Sequence, residues 1–151
     1  MVIDTSALIA ILFGELEALT FTKAVADESR KLISAFNVLE TGIVVEARKG
    51  ESGGREFDLL MHRAQIEIVG MNTDQAEIAR SAWRNYGKGN HPAGLNIGDC
   101  CAYALAKYSG EPLLSFSISP NGTRVVDIKN LCTFRVKSEI VRTLVLEHHP
   151  S

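Results

Sequence analysis

Apolar Val2 and Ile3 lead into Asp4, Thr5 and Ser6, after which residues 7–12 are almost wholly apolar. That order predicts a short buried strand, a sharp turn and a buried helix closed near Gly14. Leu16, Leu19 and Ala26 recur among polar positions, which suits a second, amphipathic helix over residues 15–26. Residues 31–34 read as a short strand. From Asn37 onward, Val38, Leu39, Ile43, Val44 and Ala47 fall at helical spacing, and the charged, glycine-rich stretch 48–54 should end that helix in a loop. A helix over about residues 55–63 carries Phe57, Leu59, Leu60 and Met61, and alternation over residues 66–69 predicts another strand. Asp74 suits the cap of a helix running to Tyr86.

The glycines and proline of residues 87–94 forbid regular structure, and Lys88 and His91 within them point to a working loop. Asn96 then caps a helix through Ala102, Leu105 and Ala106 that stops at Gly110, ahead of a strand over residues 112–116. Strands alternating with helices define an α/β chain with a mainly parallel central sheet covered on both faces. In such sheets sites form beyond the carboxyl ends of the strands, where strand order reverses, and Asp4 sits at such an end. Residues 1–116 form the core of one domain, and residues 117–151 are a divergent segment packing on or extending from it. Val136, Ile140, Val141 and Leu144 suggest an amphipathic helix there, and His148 and His149 belong to a terminal tip.

At 151 residues, 46% hydrophobic and 23% charged, the chain fits one globular domain with one core. It opens on an apolar strand without a basic leader and holds no long uncharged run, so a soluble, cytoplasmic protein with no membrane contact is expected. Three cysteines, Cys100, Cys101 and Cys132, supply neither a disulfide set nor a paired metal motif. A net charge of −2 provides no bulk field for nucleic acid, so any RNA contact must come from a local basic patch.

Three carboxylates stand among residues that favour burial: Asp4 after the first strand, Glu40 inside an apolar helical run, and Asp99 between Gly98 and Cys100. An ionised carboxylate removed from water is expensive unless paired, and several together repel unless a cation lies between them. Oxygen-only ligands suit Mg²⁺ or Mn²⁺, and such a site can activate water against a phosphodiester. Asp4 and Asp99 also have a structural reading as helix-terminal acids. Glu40 has no such alternative, because Phe36 and Val44 occupy the positions four residues away on either side. Glu46 is an auxiliary acid at most, being rotated about 240° around the helix from Glu40.

The opening Met1-Val2-Ile3-Asp4-Thr5-Ser6-Ala7-Leu8, the pair Leu39-Glu40, and Gly94-Leu95-Asn96-Ile97-Gly98-Asp99-Cys100 with Ala102-Tyr103-Ala104-Leu105-Ala106 after it closely resemble PIN-domain toxins of the VapC class. The resemblance covers roughly residues 1–114. It implies a compact PIN-like α/β/α fold, Mg²⁺- or Mn²⁺-dependent endonucleolytic cleavage of RNA, a homodimer, and a VapB-type antitoxin that covers the acidic pocket. It makes Asp4, Glu40 and Asp99 metal ligands, and Ser6 and Asn96 polar neighbours that hold ligands or water in place.

The chain also departs from that family, whose members usually carry a fourth acid just after the last core strand. Residues 113–122 hold no carboxylate, and Asp127 reaches the pocket only if the chain folds back. A weakened metal site is therefore expected, and with it a second reading, a non-catalytic PIN-like module that binds an antitoxin or dimerises. A phosphatase of the haloacid-dehalogenase type is disfavoured, since it wants an aspartate where Ser6 stands. Arg48, Lys49, Arg55, Arg63, Lys88 and His91 are candidates for a basic rim that binds RNA phosphates, and His91 is also a candidate proton donor.

Overall fold

The structure, a computed structural model, describes residues 1–118 and 124–129, the latter segment and residues 117–118 as backbone alone. In chain order the elements are β1 (Val2–Ile3), α1 (Thr5–Phe13), α2 (Ala18–Asp27), β2 (Leu32–Ser34), α3 (Ala35–Arg63), β3 (Glu67–Val69), α4 (Thr73–Tyr86), α5 (Ile97–Ser109), β4 (Leu113–Ile118) and β5 (Arg124–Lys129). The strands form one sheet in the order β3-β2-β1-β4-β5. The first four run parallel, and β5 is antiparallel to β4.

Alternation along the strands builds the layers. Val2, Leu32 and Leu113 are in register and face Ala102, Leu105 and Ala106 of α5. Their neighbours Ile3, Ile33 and Leu114 point the other way, into a core with Leu8 and Ala10 of α1, Phe21 and Val25 of α2, and Val45 and Phe57 of α3. The result is the expected α/β/α arrangement, because a strand buried on both faces needs an apolar partner on each. From β1 the chain winds outward through β2 and β3, then crosses back to β4 on the other side of β1. The switch point therefore lies between β1 and β4, directly beyond which Asp4 begins α1.

Several local expectations are overturned. Residues 48–54 are not a loop: helix continues through them except at Gly50, whose φ of 66° and ψ of −162° hinge α3 into two antiparallel legs. The other glycines serve close packing. A Cβ at Gly54 would come within 2.8 Å of Glu46 Oε1 on the first leg, and one at Gly53 within 3.0 Å of Val45 Cγ1. Helix α2 starts only at Ala18 and buries Phe21 and Val25, leaving Leu16 at 99% and Leu19 at 80% exposure. The cap of α4 is Asn72, whose side chain accepts from Gln75 N at 2.9 Å, while Asp74 sits inside the first turn, where a helix dipole favours an acid. The last core strand extends to Ile118, and β5 adds a further strand where the sequence suggested none. The helix expected around residues 136–144, Cys132 and the terminal histidines lie outside the described residues.

Candidate metal centre and its comparisons

Three helix starts meet at the carboxyl end of the sheet. Asp4 is the N-cap of α1; its Oδ2 accepts from Ser6 N at 3.1 Å and from Ser6 Oγ at 2.6 Å. Ser6 Oγ in turn accepts from Phe116 N of β4 at 3.4 Å, so one hydroxyl ties the aspartate to the neighbouring strand. Asp4 Oδ1 is buried with no protein partner. Burial drives the Asp4 carboxyl above the usual aspartate range, against the opposing pull of the Ser6 bonds.

Glu40 lies in the second turn of α3, and its Oε2 is likewise buried without a partner. Its carboxyl packs so closely on Gly98 of α5 that a Cβ there would fall 2.8 Å from Glu40 Cδ. Burial raises the Glu40 carboxyl, and the negative charges of Asp4 and Asp99 raise it further. Asp99 belongs to a capping box at the start of α5: its backbone N donates to Asn96 Oδ1 at 2.9 Å, and its Oδ2 accepts from Asn96 N at 2.8 Å. Burial again raises its carboxyl; the Asn96 bond lowers it and the Asp4 charge raises it. Asp99 thus has both of its candidate roles, since the box uses Oδ2 and Oδ1 takes no part in it.

The three acids share one field. Among the described residues, however, no group of three His, Cys, Asp or Glu side chains is already drawn into a cation cage. Two carboxylates with orphaned buried oxygens, each pushed toward the protonated form, form a donor set that fits a hard dication far better than it fits itself. Asp4 and Glu40, with Asp99 in the same field, are the residues that would hold such an ion.

Asn37 was not singled out by the sequence. Wholly buried, it donates through Nδ2 to Thr5 Oγ1 at 3.1 Å and to Gly98 O at 3.2 Å, and its own carbonyl accepts from Thr5 Oγ1 at 3.4 Å. It pins together the starts of α1, α3 and α5, one turn before Glu40. The available signal was Asn37 and Thr41 at i, i+4, a polar pair that α3 turns inward while Leu39 and Ile43 point out at 61% and 60% exposure.

The remaining candidates scatter. Glu46 lies over Gly54 in the α3 hairpin. Arg48 stacks on the Phe13 ring, Lys49 binds Glu56 and the Leu12 carbonyl, and Arg55 pairs with Glu51, so these cations serve the hinge end of α3. Arg63 is exposed at the far end of α3's second leg. Lys88 is exposed in the loop ahead of Asn96. His91 Nδ1 accepts from Ala93 N at 3.0 Å, and the ring stands edge-on to Tyr86 at 5.5 Å. Asp127 is in β5 opposite Ser115; only its backbone is described. Cys100 and Cys101 are buried, with burial pushing the Cys101 thiol up to about 11, so both are inert.

A parallel sheet with a switch point, three acid-bearing helix starts around it and helices on both faces describe a class of protein, and residues 1–117 match the family described as PIN domain. The chain belongs to the PIN-domain family, among its VapC ribonucleases. It is 58% identical over 114 residues to Ribonuclease VapC of Mycolicibacterium smegmatis, covering 76% of this chain and 88% of that one. It is 56% identical over 114 residues to Ribonuclease VapC30 of Mycobacterium tuberculosis, covering 76% and 87%. Two solved structures share the fold. The Mycobacterium tuberculosis toxin VapC20, described as cleaving the sarcin-ricin loop, aligns with a TM-score of 0.62 at 16% identity over 77% of this chain and 88% of that one. A toxin–antitoxin complex from Klebsiella pneumoniae aligns at 0.57 and 20% identity, covering 80% and 88%.

Proposed function

We propose that this chain is a divalent-metal-dependent endoribonuclease, the toxin of a toxin–antitoxin pair, in which Asp4, Glu40 and Asp99 hold Mg²⁺ or Mn²⁺. The observation that carries the reading is the pair of buried, partnerless oxygens, Asp4 Oδ1 and Glu40 Oε2, in a field that Asp99 also feels. Bound there, the dication supplies Lewis-acid activation of water and charge stabilisation at a phosphodiester. The protein's own share is positional. Ser6 holds Asp4 by two bonds, Asn96 orients Asp99, and Asn37 locks the helix starts. Asp127 is an auxiliary acid of this site, and Lys88 and His91 contact RNA ahead of α5. The domain core spans residues 1–116, and β5 continues its sheet beyond that core.

Relatives named ribonuclease support RNA as substrate, and the structural neighbour titled a toxin–antitoxin complex supports an antitoxin partner, which this reading assigns to the VapB type. Exposed Leu39 and Ile43 flank Glu40 in sequence and, with Val38, Gly42 and Phe57, line a groove of about 270 Å³. That surface suits a protein partner, whether antitoxin or the second subunit of a homodimer. Among the described residues no helix is long and apolar enough to cross a membrane; the cytoplasmic site of action in this reading follows from RNA as the substrate.

The test is cleavage of single-stranded RNA by purified protein with Mn²⁺, beside Asp4→Asn and Asp99→Asn. Cleavage by the parent alone supports the reading. The lack of any acid between Leu113 and Gly122 favours one competitor, a module that binds its antitoxin without cutting. Antitoxin binding by a protein inert at every Mn²⁺ concentration would establish it.

A further inference from the structure

One side of α5 carries Asp99, Tyr103 and Lys107 at four-residue steps, which places Tyr103 about 6 Å and Lys107 about 12 Å along the axis from the acid. The far side of this stripe is closed by α4. Tyr86 stands 6.1 Å from Tyr103, centroid to centroid, at 52°, and His91 packs edge-on against Tyr86. Lys107 Nζ lies 5.9 Å from the Tyr103 ring centre. Ile78, Ser81, Ala82, Asn85, Tyr86 and Tyr103, with Lys107 at the rim, enclose a hollow of about 130 Å³. Both tyrosine rings are half-buried and Lys107 is exposed.

A structural role accounts for part of this, since Tyr86 and Tyr103 help pack α4 on α5. It does not account for the hollow between them, nor for a cation at its mouth with no carboxylate partner among the described ion pairs. Aromatic faces beside a cation are the recognition chemistry of single-stranded nucleic acid: a base stacks on the ring while ammonium groups neutralise phosphates. A helical or extended protein partner would ask for a longer apolar groove, whereas Ser81, Asn85, both tyrosine hydroxyls and Lys107 make this lining largely polar.

We propose that the α4–α5 hollow is a base-stacking subsite for single-stranded RNA, taking a nucleotide that flanks the scissile phosphate on Tyr103 and Tyr86, with Lys107 and Lys88 on the backbone phosphates. This rests on the ribonuclease reading and adds to it. The substrate must present an unpaired base next to the cut, because a base held in a duplex cannot reach a ring on the side of α5.

The test uses the full chain and a short labelled single-stranded RNA of mixed sequence, kept uncleaved by Ca²⁺, with affinity read by anisotropy over a salt series. Tyr103→Leu is expected to weaken binding about 5- to 150-fold, the range that base–aromatic stacking spans, whereas Tyr103→Phe stays within about threefold. Lys107→Gln, on the exposed surface, leaves folding intact and should reduce the salt slope by about 0.7. Parent-level affinity and salt slope in both Tyr103→Leu and Lys107→Gln overturn the subsite alone, and RNA cleavage by the parent then still stands. A parent protein that neither binds nor cuts RNA overturns the subsite together with the ribonuclease reading.

Discussion

Gly98→Ala is the substitution that separates the fold from its chemistry. Gly98 lies in the first turn of α5 and is buried. Its conformation is helical, so alanine there favours the helix by up to about 1 kcal/mol. The new methyl group, however, would overlap the Glu40 carboxylate: the ideal Cβ falls 2.8 Å from Cδ and 3.0 Å from Oε1, and closer still to Oε2. Ordinary contact needs about 3.5–4.0 Å between such atoms, so the carboxylate must retreat by roughly 1 Å. Glu40 makes no protein hydrogen bond through Oε2 and ends a flexible side chain, which makes that retreat inexpensive for stability. For a ligand in a catalytic constellation, a displacement of about 1 Å costs on the order of 10²-fold in rate. The expected outcome is a melting temperature equal to or a few degrees above the parent's, by up to about 4 °C, with Mn²⁺-dependent RNA cleavage and Mn²⁺ affinity both sharply reduced. Glu40→Asp in the same background withdraws the carboxylate by one methylene and should recover part of the loss. Unchanged cleavage in Gly98→Ala would refute the placement of Glu40 at the metal, and a large fall in melting temperature would refute the steric argument.

Other consequences follow from the same geometry. In metal-free protein, Glu40→Gln should raise the melting temperature at neutral pH. The folded Glu40 carboxyl lies above its ordinary 4.5, so its stabilising contribution is fully present below pH 4.5 and is lost as pH rises through the folded value. The advantage of Glu40→Gln should therefore vanish below about pH 4 and shrink with added Mn²⁺; a difference independent of pH would contradict it. Asn37→Ala strips two buried side-chain hydrogen bonds from the junction of α1, α3 and α5, and leaves only the bond that Thr5 Oγ1 donates to the backbone carbonyl. It should lower stability by about 2–4 kcal/mol in denaturant titration, and Mn²⁺ affinity with it. Ser6→Ala removes the 2.6 Å bond to Asp4 and the acceptor for Phe116 N. Cleavage should drop while RNA affinity in Ca²⁺ holds. Lys88→Ala should weaken RNA binding and flatten its salt dependence, with an unaltered salt slope counting against the contact.

The order of elements was legible because each strand is bracketed by polar or glycine positions and its apolar residues come in pairs, one for each face. Asp4 was legible for the same reason, as an acid where a doubly buried strand ends. What the sequence hid was long-range. The stretch 48–54 carries every mark of a loop, yet only Gly50 leaves the helix, because Gly53 and Gly54 let the second leg of α3 lie against the first. Apolar periodicity in α2 and α3 chose the wrong faces, since Leu16, Leu19, Leu39 and Ile43 are exposed and α3 turns Asn37 and Thr41 inward. A buried asparagine is recognisable only once its partners on α1 and α5 are in place. The charges close in sequence at residues 48–55 gather at the α3 hinge, where Arg55 pairs with Glu51 and Lys49 with Glu56, the latter a contact that only the folded hairpin creates. Asp127 stands apart, because a turn back into β5 is a pairing that no local pattern announces.

The claim on which the account depends is that Asp4, Glu40 and Asp99 share one dication. Anomalous diffraction from a Mn²⁺-soaked crystal measures this most directly. The account predicts a peak within coordination distance of an oxygen from each of the three side chains, lost in Asp4→Asn. A peak elsewhere on the protein, or Asp4 and Glu40 remaining unliganded at saturating Mn²⁺, would contradict it.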